Sequence, residues 1–175
     1  RAHSTPCAGR PAGSIVRAMF FLPRQAPPPM APKSEHADRV EVFKSARRLE
    51  LWRGAKLLAA YRVALGFTPA GHKEREGDGR TPEGNYLIDA RNPRSRFHLS
   101  LRVSYPDAGD RERAAKLGVP PGGDIYIHGT PNGWRKHLVG HPRRDWTTGC
   151  IAVSDPEMRE IWSRVPTGAR VAVRP

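Results

Sequence analysis

The chain has 175 residues, 38% of them hydrophobic and 7% aromatic, which suffices for one packed core and is short for two ordinary domains. With 18 prolines and 17 glycines an all-helical bundle is excluded and a turn-rich β protein is expected. Thirty basic residues against 17 acidic ones leave a formal charge of +13, which attracts anionic partners; because the basic residues are scattered singly, with no zinc-finger spacing, RNA-binding aromatic signature or dense Lys/Arg block, no specific nucleic-acid binding is expected.

In chain order, residues 1–36 hold a broken apolar segment, SIVRAMFFLP, and a Pro-rich run, RQAPPPMAPK. They are set aside as a poorly ordered Pro-rich leader or signal remnant. No segment approaches the roughly 20 apolar residues that a membrane-spanning helix needs. A catalytic or binding domain is placed at 37–175.

From Ala37 the texture changes. Val40 and Val42, then Leu49 and Leu51, fall on alternate positions of short runs, and KSARR and RGAK interrupt them, which predicts a three-stranded antiparallel meander. LLAAYRV can be written as a helix, but Gly54 and Gly66 bracket it and favour a strand. The charged, Gly-rich segment GFTPAGHKEREGDGR reads as a loop that closes in the turn TPEG before a strand from Asn85 to Asp89. FHLSLRVSYP predicts a half-buried strand with Phe97, Leu99, Leu101 and Val103 on one face. A short helix is predicted over 110–117, closed by Gly118, and then a strand from Ile125 to Ile127 stops at His128. Residues 131–146 show no period. SDPEMREIWSRV opens with a capping box, Ser154 and Glu157, and carries Met158, Ile161, Trp162 and Val165 at helical spacing. ARVAVR ends the chain as a strand. The sum is mainly β: about eight short strands in a predominantly antiparallel sandwich or barrel, with one or two short helices.

Two strand ends carry candidate chemistry. YIHGT leaves His128 at the mouth of one strand, and TTGCIAV places Cys150 at the entrance of another. If the strands are neighbours, thiol and imidazole emerge at the same rim, where the imidazole can take the thiol proton and the thiolate can attack a carbonyl carbon. Gly149 lets a substrate carbonyl approach the backbone, and the amides of Gly149 and Cys150 could hold the oxyanion. On residues alone, an inert buried cysteine fits the apolar run as well as a nucleophile does. A disulfide between Cys7 and Cys150 is not fixed by their spacing. His137 and His141 are spaced like neighbours on a helix and suggest a zinc pair with Cys150, but Gly140 and Pro142 spoil the helix, so no metal is assigned. Asp145 and Trp146 are candidate substrate contacts or a turn and its packing aromatic. Arg80 is a candidate for an anionic substrate group or a solvated loop residue.

The segments GDGRTPEGNYLID, NPRSRFHLSL, GGDIYIHGTPNG and DWTTGCIAVS, in this order, resemble the catalytic domain of the YkuD-type L,D-transpeptidases, nearest the murein subgroup with a DWTxGCIA site. The resemblance implies a mostly β L,D-transpeptidase fold and cysteine acyl transfer on peptidoglycan stem peptides containing meso-diaminopimelate, without a cofactor, in the periplasm or cell envelope. It implies Cys150 as nucleophile, His128 as its base, the Gly129 carbonyl as the group orienting the imidazole, and Gly149 with Cys150 as the oxyanion site. Many family members have histidine where this chain has Thr148, so Thr148 joins the orienting residues and His128, or else His141, is left as the base. The acceptor amine would come from another stem or a lipoprotein lysine. The same site is compatible with hydrolase or amidase activity, and a silent, basic wall-binding module is the non-enzymatic alternative. A monomer is expected.

Overall fold

A computed structural model describes residues 25–175. Its strands are β1 Arg39–Phe43, β2 Arg48–Arg53, β3 Lys56–Arg62, β4 Gly84–Asn92, β5 Ser100–Val103, β6 Tyr126–His128, β7 Ile151–Ala152 and β8 Arg170–Arg174; the helices are α1 Ala108–Lys116 and α2 Asp155–Arg164. All eight strands join one sheet in the order β3-β2-β1-β8-β4-β5-β6-β7, so the protein is mainly β, as the turn-rich composition predicts.

The meander forms as its alternation requires. Val40 pairs with Leu51 and Val42 with Leu49, and all four are fully buried. The final strand does not sit at an edge. β8 lies in the middle, parallel to β1 and antiparallel to β4, and its Val171 and Val173 enter the core. β6 and β7 are also parallel. The segment after β3 crosses to the opposite edge of the sheet: Ala64 bridges Ala152, and Gly66 bridges Thr147. That crossing closes the curl and sets β7 against the segment that continues the meander, which covers the β7 edge there.

Both helices begin as their capping residues dictate. Asp107 caps α1 in a reciprocal box with Asp110, and Ser154 caps α2 with Glu157; each box satisfies two amide donors that the first turn would otherwise leave unpaired. α1 therefore starts at Ala108 rather than 110. α2 buries Met158, Ile161 and Trp162 against the curled sheet, and each large apolar side chain so removed from water contributes about 1.5–3 kcal/mol.

One expectation needs correction. The strand predicted from Phe97 begins only at Ser100, because His98 has φ +63°, a left-handed conformation that strand pairing does not tolerate. Phe97 therefore leaves the core face. Residues 25–36, at the end of the expected leader, lie along α2: the Ala31 amide donates to Ser163 O at 2.8 Å and Arg159 Nη1 donates to Ala26 O at 2.9 Å. Residues 1–24, with the apolar run and Cys7, lie outside the described residues. Among the described residues no helix is long and apolar enough to cross a membrane.

Candidate active site

β6 and β7 pair with Ile127 opposite Ile151 and His128 opposite Ala152. Both isoleucines are fully buried in the core, so alternation turns Tyr126, His128 and Cys150 to the other face. Carried back one residue, the register sets Cys150 level with Tyr126. The condition that the two strands be neighbours is therefore met, but they run parallel, so the thiol and imidazole do not share a rim. They share a face, two residues apart along it, and both line a cavity of about 360 Å³ with Ser100, Phe97, Trp146 and Thr148.

His128 is buried and its Nδ1 donates to the Gly129 carbonyl at 2.7 Å. That bond fixes the proton on Nδ1 and leaves Nε2 as an acceptor. Phe97 stacks on the ring with centroids 4.6 Å apart, and Trp146 meets it edge-on at 5.7 Å. Enclosed this way, the imidazole is hard to charge: burial, only partly offset by the Gly129 bond and reinforced by nearby His141, pushes its pKa down to about 4. The His128 imidazole is neutral at physiological pH.

The backbone on either side of it is held tightly. Gly129 donates to Phe97 O and Leu99 O at 3.1 and 3.3 Å, and Asp155 Oδ1 accepts from the Thr130 amide and hydroxyl at 2.8 and 2.9 Å. A Cβ on Gly129 would stand 2.6 Å from that same carboxylate oxygen, so only glycine lets α2 reach the motif. Asp155, the first residue of α2, thus locks the His128-Gly129-Thr130 turn. The capping box announces the helix but gives no sign of this second contact.

Cys150 is a free, half-buried thiol whose Sγ donates to Asp124 O at 3.6 Å. Burial pushes its pKa above the ordinary thiol value, against the opposing pull of the Tyr126 amide and Lys73. The resting pair is therefore a neutral thiol beside a neutral imidazole, and not a preformed thiolate–imidazolium pair.

Gly149 has a packing role that its sequence context does not suggest. Its φ is +136°, and a Cβ there would lie 2.7 Å from Arg80 O and 3.1 Å from Ile125 Cδ1. The missing side chain makes room for the 73–81 loop. Its amide is also occupied, donating to Thr147 Oγ1 at 3.1 Å, while that hydroxyl donates to Cys150 O at 2.7 Å.

The other candidate residues separate. Trp146 and exposed Thr148 line the Cys150 cavity, together with Arg94 and Arg96, which the sequence reading passed over. Arg80 is turned away, its Nη1 on Glu74 at 2.9 Å and on His72 O at 3.3 Å. Asp145 is spent on the scaffold: Arg47 Nη2 donates to it at 2.8 Å and the Leu65 amide at 2.9 Å. His141 has both ring nitrogens buried without a hydrogen-bond partner among the described residues, and burial lowers its pKa despite Glu157 and Asp155 nearby. His137 sits in a 3₁₀ turn, Gly133–His137, which removes the helical spacing. Among the described residues no three His, Cys, Asp or Glu side chains converge as metal ligands.

The sequence profile described as "L,D-transpeptidase catalytic domain" (YkuD) matches residues 37–173. YafK of Escherichia coli (strain K12) is 28% identical over 142 residues, an alignment covering 78% of this chain and 50% of YafK; the chain thus spans about half the length of the curated relatives it matches. Among solved structures, the helical cell shape determining protein Pgp2 from Campylobacter jejuni superposes with a TM-score of 0.58 at 23% identity, over 77% of this chain and 46% of that one. An L,D-transpeptidase from Mycobacterium smegmatis superposes with a TM-score of 0.51 at 15% identity, over 78% and 58%. These likenesses establish a shared fold, and the profile match over residues 37–173 establishes the family: the chain belongs to the L,D-transpeptidase catalytic domain (YkuD) family.

Proposed function

We propose that this domain is a cysteine acyltransferase acting on peptidoglycan stem peptides in the cell envelope, with Cys150 as nucleophile and His128 as general base. The observation that carries the reading is the shared face: a thiol and an imidazole with its free nitrogen defined by the Gly129 carbonyl line one cavity on adjacent strands.

The neutral resting pair dictates the order of events. As Sγ closes on the carbonyl carbon of the meso-diaminopimelyl–D-alanine bond, its proton passes to His128 Nε2, so charge appears only as the new C–S bond forms. The carbonyl oxygen becomes an oxyanion. With the Gly149 amide already bonded to Thr147, the Cys150 amide is the candidate donor to it. Collapse breaks the C–N bond, and D-alanine leaves as an amine carrying the proton from Nε2. An acceptor amine then attacks the thioester, gives a proton to His128, and releases Cys150, which takes that proton back.

The substrate is rich in carboxylates, and the cavity wall suits it. Arg94 and Arg96 line the thiol cavity, and Arg96 with Phe97 and Trp146 also borders an adjoining cleft of about 560 Å³. One cleft for the acyl donor and a neighbour for the acceptor is the arrangement transfer needs; hydrolysis needs only the first.

Incubation with a stem tetrapeptide and an amine acceptor should give a mass-detectable acyl adduct on Cys150, loss of D-alanine and a new amide. An adduct that persists in Cys150→Ala overturns the assignment. Digestion of intact sacculi separates the variants of the reading, since new cross-links mark transfer while freed lipoprotein or unacylated stems mark cleavage.

A further inference from the structure

The charged loop between Gly71 and Thr81 has no part in the reaction as described, yet it contains the most buried ion pair near the site. Lys73 is 3% exposed, and its Nζ lies 2.8 Å from Asp78 Oδ1 and 3.1 Å from Arg75 O. The Asp78 carboxylate also accepts from the amides of Glu74, Arg75 and Arg80 at 2.8, 3.1 and 3.0 Å. Burial alone would raise its pKa, but the Lys73 bond and then these amides outweigh it and hold the group at about 2. A desolvated pair of this kind is seldom a net gain in stability over apolar packing, so its placement needs another account.

The placement is beside the nucleophile. The Glu76 amide donates to Pro120 O at 2.9 Å, which ties the loop to residues 120–124. Within that segment a Cβ on Gly122 would lie 3.4 Å from Lys73 Cε and 3.1 Å from Glu76 Cα, so the lysine stem runs directly under it. Two residues on, the Asp124 carbonyl, on a backbone with φ +53°, accepts the hydrogen bond of the Cys150 thiol at 3.6 Å. From its other end the same loop sets Arg80 O 2.7 Å from where a Cβ on Gly149 would stand. The charges that act on the sulfur are few. Lys73 and the Tyr126 amide favour its anion, Asp124 disfavours it, and His128 is neutral.

We propose that Lys73, held by Asp78, is the resident cation of the Cys150 site, positioning the thiol through Gly122 and Asp124 and offsetting the negative charge that develops on Sγ. In this role Asp78 has two opposed effects: it anchors Lys73 where its field reaches the sulfur, and it cancels part of that field. The proposal deepens the acyl-transfer reading, since a cation for the thiolate matters only if Cys150 reacts.

The opposed effects make a test that a merely structural role fails. Alkylation of Cys150 by iodoacetamide, followed by peptide mass mapping between pH 7 and 10, reports the thiolate without needing a substrate. Lys73→Met/Asp78→Asn removes both charges without leaving one unpaired, and should shift the alkylation pKa upward by about half to one unit, slowing labelling at pH 7.5 about three- to tenfold. Asp78→Asn alone frees the cation from its counter-charge and should move the rate the other way, to at least twice that of the parent. Lys73→Arg should stay within about twofold of the parent, because charge and bond are retained. Thermal melting of each variant shows whether it is folded at the assay temperature. If the single and double variants shift in the same direction, or neither shifts, Lys73 is only a scaffold residue and the proposal falls. The acyl-transfer reading stands or falls separately, on the Cys150→Ala adduct.

Discussion

Protonation of His128 should be the dominant acid weakness of the fold between pH 6.5 and 4. In the unfolded chain the imidazole titrates near 6.5, whereas in the native cage of Phe97 and Trp146 it titrates at about 4. The folded value is depressed, so the unfolded state binds the extra proton first. The contribution is complete above pH 6.5 and is lost as the pH falls through about 4. The gap of about 2.5 units, at about 1.4 kcal/mol per unit, makes the loss about 3 kcal/mol. His128→Gln removes the titration while keeping an N–H that can reach the Gly129 carbonyl. Urea unfolding of parent and variant at pH 7 and pH 4 measures the effect: the parent should lose about 3 kcal/mol more than the variant, or between one and three molar in midpoint for a domain of this size. His141 also has a lowered pKa and Asp78 loses its bonds only near pH 2, but both are present in parent and variant and cancel. Parallel losses in the two proteins would show that His128 is not buried in its neutral form. The same depressed value keeps Nε2 competent in acid, so kcat/KM should hold from pH 7 down to about 5 and fall near 4, not near 6.5.

Two further outcomes test the wall and floor of the site. Arg96→Ala should raise KM for a carboxylate-bearing stem peptide several-fold with little change in kcat, whereas Arg80→Ala, whose guanidinium is already held by Glu74, should change KM less than twofold; steady-state kinetics with one donor peptide compares them. Gly149→Ala forces a side chain into a φ of +136° and within 2.7 Å of Arg80 O, so it should cost at least 1–3 kcal/mol in stability and lower Cys150 alkylation along with it; a variant that melts like the parent would refute the packing role.

What the sequence made legible was whatever local chemistry determines. The meander follows from the alternation of Val40, Val42, Leu49 and Leu51, and both helices start where a side chain can cap them. The Cys150 and His128 pairing across adjacent strands is legible too, because strand ends next to glycine are recognisable. The direction of those strands is not: parallel pairing of β6 with β7, and of β8 with β1, is set by contacts between distant segments that no local pattern encodes. Phe97 shows the same limit. Its alternation with Leu99 and Leu101 places it in the core, but one left-handed residue, His98, turns it over the His128 imidazole. Arg94 and Arg96 then follow it to the cavity. Asp155 and Lys73 escaped notice for a related reason, since a helix-start acid and a loop lysine look solvated until the fold brings a second segment against them.

The electrostatics of the site has one consistent logic. A surface with a formal charge of +13 would by itself favour a thiolate and discourage an imidazolium, yet the sulfur has a raised pKa and the imidazole a lowered one. Burial therefore dominates net charge at this distance, and it acts on both partners in the same sense, toward neutrality. A neutral pair needs no counter-ion, and it presents less charge to solvent than an ion pair would. In the proposed acyl transfer, charge separation would arise in a site whose fixed groups suit it: the Gly129 carbonyl on Nδ1–H would support the imidazolium, and the Tyr126 amide and the Lys73 charge both favour the sulfur anion. Such fixed dipoles and charges stabilise the transition state more than the ground state, because only in the transition state is there charge for them to meet.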